Sequence, residues 1–508
     1  MKDKILINKE EIEKKIVFLR KKQKKIVLCH GVFDLLHIGH IKHFKEAKTL
    51  GDIVIVSITS DKFVNKGPNR PIFNQNLRAE ALASLEQIDY VIINDNESSI
   101  SIIREVKPKI YCKGPDYKKN ENDITKKIKT EIAEVRKYGG KIIYTKEQTF
   151  SSSKLINLFS DKFSQLHRSN IRKIKKNYTY KDILNFFKNF QKIKILVVGE
   201  TIIDEYNFCE ALGKSGKEPT LVLRDLNKEI YLGGAAAISR HLSNFLGKIK
   251  LLSMIGEKEE FKDKIKKDLP KNISFDYIKK NNSPTIIKRR FLDYVSKNKI
   301  LGVYSLNDSK LDNSNELQFQ KKLKRLIPKA DMVIVSDYGH GLISKKSAQI
   351  ICKNSKYLAV NAQLNASNVG FHSMRKYTNV DCVIINDREL RHELRDRNSS
   401  VNTLMKKLSE DQKIKNLIVT MGSQGSILYN KKTKTFFYNE AYTKNAVDKI
   451  GAGDTMLALT SICLYKKLTE QLSLVIGSIA AAFSVKNIGN KISINKVDIL
   501  KTLEHLLK

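Results

Sequence analysis

Two consecutive α/β units, each built on a parallel sheet, are what this sequence predicts, and three observations lead there. Between Lys24 and about Phe159, short apolar runs alternate with amphipathic stretches of helical spacing, the pattern of a sheet covered by helices on both faces. A second run of the same kind opens at Ile193-Lys194-Ile195-Leu196-Val197-Val198-Gly199 and continues through the rest of the chain. The length, 508 residues, is more than one core normally holds.

In the first unit, taken as residues 1–160, strands are expected at Ile26–Cys29, Ile53–Ile58, Tyr90–Ile93, Ile110–Cys112 and Lys141–Tyr144. Helices are expected to begin near Ile38, Asn76, Ser98 and Ile124. A ligand of such a sheet sits beyond the carboxyl ends of its strands. There the sequence reads Cys29-His30-Gly31-Val32-Phe33-Asp34-Leu35-Leu36-His37-Ile38-Gly39-His40. A glycine turn leads from the strand into a helix start, whose unpaired N–H groups and dipole attract phosphate. The spacing of His37 and His40 puts both on one face of the first helical turn, able to reach the same phosphates. One histidine here would be an ordinary core residue; two at this spacing behind Gly31-x-Phe33-Asp34 point to a nucleoside triphosphate.

Residues 161–192 are polar and strongly basic, densest from Arg172 to Lys176, and read as a linker with helical spacing from Tyr180 to Phe190. The second unit is then residues 193–508. Near its end stands Val447-Asp448-Lys449-Ile450-Gly451-Ala452-Gly453-Asp454-Thr455. Its small residues let backbone N–H groups converge at a helix start as an anion hole. Asp454 beside that hole is placed to take a proton from an attacking hydroxyl while the amides hold a transferring phosphoryl group.

Composition narrows the class. Apolar residues make up 41% and charged residues 29%, as in a soluble globular protein. The longest mostly apolar run, Leu472 to Val485, is too short to span a bilayer. No leader peptide is recognisable, so a cytoplasmic enzyme with no membrane partner is expected. Six scattered cysteines without a CxxC pair fit a reducing compartment without structural zinc or disulfides. The net charge of +39 is spread along the chain instead of gathered beside aromatics, which argues against specific nucleic-acid binding.

The first motif resembles the GxFDxxHxGH hallmark of the cytidylyltransferase-like nucleotidyltransferases, and the resemblance covers residues 24–160. Lys66-Gly67-Pro68-Asn69-Arg70-Pro71 and Arg78 resemble the family's segment before its Arg-led helix. Lys113-Gly114-Pro115-Asp116-Tyr117 is similar to the KGxDY loop of heptose-phosphate adenylyltransferases, and Ser151-Ser152-Ser153-Lys154 to the second nucleotide motif. The resemblance implies that Gly31, Phe33 and Asp34 bind nucleotide. It further implies that His37, His40 and Lys113 stabilise charge, Ser151, Ser152 and Ser153 hold phosphates, and ATP or CTP enters with Mg2+.

Residues 193–508 resemble the ribokinase-like (PfkB) carbohydrate kinases, with a small β lid from segments near 205–231 and 286–306. By that resemblance Asp204, Gly233 and Gly234 bind the sugar. Asn386 and Glu389 of Asn386-Asp387-Arg388-Glu389 organise Mg2+ and phosphate. Thr420, Gly422 and Gly425 lie on the nucleotide side, Gly451, Ala452 and Gly453 form the anion hole, and Asp454 is the base. Ser215-x-x-Glu218-Pro219, Pro284-Thr285-Ile286-x-Lys288-x-Arg290 and Ser336-Asp337-Tyr338-Gly339-His340-Gly341 are similar to heptose-phosphate kinases, which implies that Lys288 and Arg290 hold a phosphate already on the sugar. Ala237, Val295 to Lys299 and Asn361 to Asn368 depart from that pattern and leave the sugar open. The familiar bifunctional heptose enzymes carry their kinase first; here the order is reversed.

Together these resemblances imply a bifunctional enzyme that makes an activated nucleotide sugar from a sugar phosphate, using MgATP in the kinase half. An alternative keeps both chemistries but joins CTP to another sugar or a polyol phosphate. A homodimer paired through the lid near 205–231 is also expected.

Overall fold

The computed structural model describes residues 2–64, 70–114, 127–145, 164–443 and 446–507. Two compact units divide the chain: residues 1–164 with 500–508, and residues 165–499.

In the first unit the elements run β1 (Ile5–Leu6), α1 (Lys9–Lys21), β2 (Ile26–Gly31), α2 (Ile38–Thr49), β3 (Ile53–Thr59), α3 (Gln75–Ala83), β4 (Tyr90–Asn94), α4 (Ile100–Val106), β5 (Ile110–Lys113), α5 (Lys127–Lys137) and β6 (Lys141–Tyr144). The strands order β1-β4-β3-β2-β5-β6, and every described pair is parallel. Alternation along each strand divides the apolar side chains between two cores. Val27, Cys29, Val54, Val56, Val91 and Cys112 face one side, with Phe44 and Ala47 of α2 and Ala79 and Leu82 of α3. Ile26, Leu28, Ile55, Ile92 and Tyr111 face the other, with Ile12, Ile16 and Leu19 of α1, Ile102 and Ile103 of α4 and Val135 of α5. Strand β1 and helix α1 lie ahead of the first strand expected from sequence; Asn8 caps α1 by accepting from the Glu11 N–H.

The second unit opens with α6 (Gln165–Asn177) and α7 (Tyr180–Asn189), where a linker is expected. Both helices are amphipathic and pack on this unit. Ile174, Ile183 and Phe187 are buried, the Phe187 ring lies 5.0 Å from Phe190 and 6.0 Å from Phe245, and Asn170 donates to the Tyr438 carbonyl. Their lysines and arginines occupy the opposite face, which is why composition alone reads as linker. Residues 500–508, assigned from sequence to the second unit, group with the first.

The chain continues through β7 (Lys194–Gly199), β8 (Thr201–Lys214), β9 (Leu221–Gly233), α8 (Gly234–Ser243), β10 (Lys248–Gly256), α9 (Lys262–Asp268), β11 (Ile273–Lys280), β12 (Ile287–Asp293), β13 (Lys299–Ser305), α10 (Asn313–Leu326), β14 (Met332–Asp337), α11 (Lys345–Asn354) and β15 (Leu358–Ala362). It closes with β16 (Cys382–Asn386), α12 (Asp387–Leu394), α13 (Val401–Asp411), β17 (Asn416–Thr420), β18 (Ser426–Asn430), β19 (Thr435–Asn439), α14 (Ala452–Tyr465), α15 (Glu470–Ser484) and α16 (Lys496–Leu507). A nine-stranded sheet orders β11-β10-β7-β14-β15-β16-β17-β18-β19, parallel as far as β17 and antiparallel beyond. Leu196, Val198, Val333, Val335, Val360, Val383 and Leu417 present one face to α10, α11 and α13. A separate four-stranded sheet, β13-β12-β8-β9, is formed by the two segments expected to make the lid. The apolar run at 472–485 lies almost wholly in the buried helix α15; among the described residues no helix is long and apolar enough to cross a membrane.

Candidate active sites

In the first unit the glycine turn ends β2 and His37 becomes the N-cap of α2, its Nδ1 accepting from the Gly39 N–H at 3.1 Å. The His37 and His40 rings stack with centroids 3.9 Å apart, and Phe33 meets His40 edge-on at 5.2 Å. The structure thus brings together Gly31, Phe33, His37 and His40, with Phe33 holding a left-handed backbone at φ 50°.

Asp34 is placed otherwise than the nucleotide-binding expectation. Its side chain is buried, with one oxygen accepting from Arg70 Nε at 2.6 Å and the other from the Ile72 and Phe73 N–H groups. Three donors from its own chain occupy this carboxylate, so it braces the loop that carries the motif. Arg78 is equally enclosed: it donates to the Val32, Phe73 and Thr59 carbonyls and pairs with Asp61 at 2.7 Å. Lys113 ends β5 with its ammonium buried and 3.1 Å from Glu131. Burial first, and then that ammonium, hold the His30 imidazole down to about 3 and the His43 imidazole down to about 4. Residues 65–69, 115–126 and 146–163 fall outside the described residues, and with them Ser151, Ser152, Ser153 and most of the expected KGxDY loop.

In the second unit a cleft of about 650 Å³ opens where β7, β14, β15, β16 and β17 end, the position an open parallel sheet reserves for its ligand. It is lined by Asp204, Gly234, Lys288, Arg290, Asn386, Glu389, Thr420, Gly422, Gly425, Gly451, Ala452, Gly453 and Asp454. Every residue expected in the kinase site is therefore gathered here except Gly233, which neighbours it. A Cβ on Gly233 would stand 2.2 Å from Asp204 Oδ2, so only glycine permits that approach.

Helix α14 begins at Gly451, the N-cap, in a left-handed conformation with φ 85°. Any side chain there would strike Asn490 at 2.2 Å. The turn exposes the first N–H groups of α14 to the cleft, and Asp454 sits in the same first turn. The Tyr338 hydroxyl lies 2.8 and 2.9 Å from the two Asp454 oxygens. Burial pushes the Asp454 carboxyl up to about 6, partly offset by that hydroxyl, with Asp204 adding to the rise and Lys288 opposing it.

Around this centre the charges are locally matched. Arg290 pairs with Asp204 at 2.7 Å, and the Lys288 ammonium lies 5.3 Å from the Tyr338 ring centroid, its pKa lowered by burial. Asn386 and Glu389 form a reciprocal capping box at the start of α12, and Glu389 also accepts from the Leu364 N–H. Burial pushes Glu389 up to about 7.

Three contributors carried no role in the sequence reading. Tyr338 holds Asp454. Glu200, at the end of β7, accepts from the Tyr338 and His340 N–H groups and is pushed up to about 7 by burial and by Asp337. Asp448 accepts from Lys299 at 2.6 Å, from the Tyr206 hydroxyl at 3.0 Å and from the Gly489 N–H, so two lid strands grip the loop before Gly451. Tyr338 was visible within Ser336–Gly341; only the fold brings it to a residue 116 positions away.

Residues 28–158 match Cytidylyltransferase-like and residues 192–496 match pfkB family carbohydrate kinase. Among relatives, "Bifunctional protein HldE" of a Nitratiruptor species is 46% identical over 125 residues, 24% of this chain and 27% of that protein. "Bifunctional protein HldE" of Campylobacter jejuni subsp. jejuni serotype O:6 (strain 81116 / NCTC 11828) is 27% identical over 334 residues, 63% of this chain and 69% of that protein. For the relative from Aliarcobacter butzleri (strain RM4018), 42% identical, the match spans 28% of its length, so much of these proteins lies outside the shared segments. The fold of the second unit is that of Escherichia coli phosphofructokinase-2: the structure "in complex with substrates and products" superposes with a TM-score of 0.51 at 15% identity, covering 62% of this chain and 100% of that one. With a transferase-like segment ahead of it and the kinase match spanning more than half of its length, the chain belongs to the pfkB family of carbohydrate kinases.

Proposed function

We propose that this protein phosphorylates a sugar phosphate with MgATP in its C-terminal unit and joins a nucleotide to a sugar 1-phosphate, releasing pyrophosphate, in its N-terminal unit. The observation that carries the reading is Asp454 at the mouth of the α14 anion hole, inside a cleft that also holds Lys288, Arg290 and Asp204. A carboxyl lifted to about 6 is a competent acceptor for a hydroxyl proton near neutral pH. As the sugar oxygen attacks the γ-phosphorus, its proton passes to Asp454 and the N–H groups following Gly451 receive the charge on the transferring group. Asp204 and the Gly233-Gly234 turn take the sugar; Lys288 and Arg290 take its existing phosphate. Asn386, Glu389, Thr420, Gly422 and Gly425 serve the nucleotide side.

Glu389 offers the hard oxygen donors that suit Mg2+. Each of its oxygens accepts from a backbone N–H, which aims the carboxylate at the cleft and suits contact through water. Bound Mg2+ supplies neutralisation of phosphate charge.

In the other unit a phosphate oxygen of the sugar 1-phosphate attacks the α-phosphorus, so no proton need be removed. His37 and His40 carry the developing charge, with Lys113; Ser151, Ser152 and Ser153 hold phosphates, and Gly31 and Phe33 shape the turn. A heptose phosphate is the favoured sugar and ATP the favoured nucleotide, on the HldE-named relatives. The exposed apolar side chains of the lid, Leu212, Leu221, Leu226 and Leu301, support a homodimer paired through it.

A panel of sugar phosphates offered with ATP, CTP and GTP, read for ADP and for pyrophosphate, tests the whole proposal. Formation of neither product with any pair would end it. A strictly monomeric mass in solution at micromolar concentration would remove the dimer.

A further inference from the structure

Beneath the nucleotide motif, three side chains converge that the proposed chemistry does not use. Cys29 on β2 and Cys112 on β5 are register partners in adjacent parallel strands, so both sulfurs emerge on the face covered by α2. His43 is on α2, one turn past His40. One ring nitrogen of His43 and the two Sγ atoms all lie within 4.8 Å of one another. We infer that Cys29, His43 and Cys112 form a site for a thiophilic d10 cation, with Zn2+ as its representative.

The geometry suits such an ion. Bonds of about 2.3 Å to sulfur and about 2.0 Å to nitrogen keep tetrahedral ligand atoms about 3.6–3.8 Å apart, so closing on the ion requires movements of no more than about 1 Å. The imidazole is already oriented. Its Nδ1 lies 3.1 Å from Thr145 Oγ1, while the Thr145 hydroxyl donates to the Lys113 carbonyl at 3.5 Å. With Nδ1 as the donor to that hydroxyl, the lone pair lies on Nε2. A hydrogen bond on the ring nitrogen that does not ligate is the usual support behind a metal-bound histidine.

Charge and access agree as well. Binding M2+ with loss of one proton from each thiol adds two thiolates and two positive charges, leaving the site neutral. The nearby Lys113 ammonium is already paired with Glu131. Cys29 and Cys112 are fully buried, whereas His43 is half-buried, so the ion enters from the His43 side. Two soft sulfurs and an imidazole exclude Mg2+ and Ca2+, which take oxygen.

The test uses the full chain, reduced and freed of metal. Co2+ should give a thiolate-to-cobalt charge-transfer band with intense tetrahedral visible bands. One equivalent of Zn2+ should abolish them and release two protons per ion. In urea at the foot of the unfolding transition, where buried thiols open to reagent, Zn2+ should also protect Cys29 and Cys112, but not Cys352, from alkylation mapped by mass spectrometry. The charge-transfer band should vanish in the Cys29→Ser/Cys112→Ser double variant, and His43→Ala should weaken Zn2+ binding at least about tenfold. No thiolate band in the wild-type chain, or a band that survives the double substitution, overturns the site. Should the double variant not fold, the proton count and the alkylation map of the wild-type chain decide the matter: failure of either overturns it.

Discussion

In and beside the C-terminal cleft three buried carboxyls are pushed upward, Asp454 to about 6 and Glu389 and Glu200 to about 7. Behind the N-terminal motif two imidazoles are pushed downward, His30 to about 3 and His43 to about 4. One cause, the cost of a charge away from water, drives both. Its chemical consequence differs with the sign of the group. Burial turns an aspartate into a base strong enough to share a hydroxyl proton, and it keeps a histidine neutral, without the positive charge of an imidazolium. The two proposed reactions divide the same way: a sugar hydroxyl must lose a proton, whereas an attacking phosphate oxygen has none to lose.

Removing the proposed base from one half is the strongest way to break this comparison. Asp454→Asn keeps shape and hydrogen bonding but cannot accept the proton, so ADP formation should fall about 10³-fold while pyrophosphate release stays unchanged. A smaller loss, or an equal loss in both assays, would deny Asp454 its part.

The next effect belongs to stability. Arg78 is enclosed by three carbonyls and Asp61; Arg78→Met leaves those acceptors without donors and should cost about 3 kcal/mol in unfolding of the N-terminal unit. Denaturant unfolding within error of wild type would show that the brace is dispensable. Below this comes His40→Ala, expected to lower pyrophosphate release about 10²-fold without changing ADP formation. Unaltered pyrophosphate release would exclude the His37–His40 stack from the mechanism.

How much of this was legible beforehand varies with the range of the interaction. The alternation that puts Ile26 and Leu28 on one face of β2 and Val27 and Cys29 on the other is local, and strands β2 to β6 follow from it. Strand β1 is two residues long, too short for any period to show, and helix α1 went unread with it despite Ile12, Ile16 and Leu19 at helical spacing. The basic stretch at 161–192 misled because lysine count hides a buried face when Ile174, Ile183 and Phe187 carry it. The gathering of Asp204, Asn386 and Asp454 in one cleft followed from motif order, whereas the occupants of Asp34 did not. A carboxylate reads as a ligand until the N–H groups of Ile72 and Phe73, nearly forty residues on, are seen to fill it. Cys29, His43 and Cys112 form no sequence motif at all; strand register aligns the two cysteines and α2 brings His43 to them.

The finest prediction concerns how far Asp454 is tuned. Its carboxyl is raised by burial and lowered by the Tyr338 hydroxyl, because a donor on a carboxylate favours the charged form. Proton transfer needs that charged form, so phosphorylation should rise with pH through about 6 and decline as pH falls below it. Tyr338→Phe removes the donor and keeps the ring beneath Lys288. The carboxyl should then rise further and the acid limb of kcat should move about one unit to higher pH, with modest loss at the plateau. A limb that stays in place would mean that burial alone sets the base. A limb displaced to lower pH would mean that the hydroxyl accepts from a protonated Asp454, reversing the direction in which this pair shares its proton.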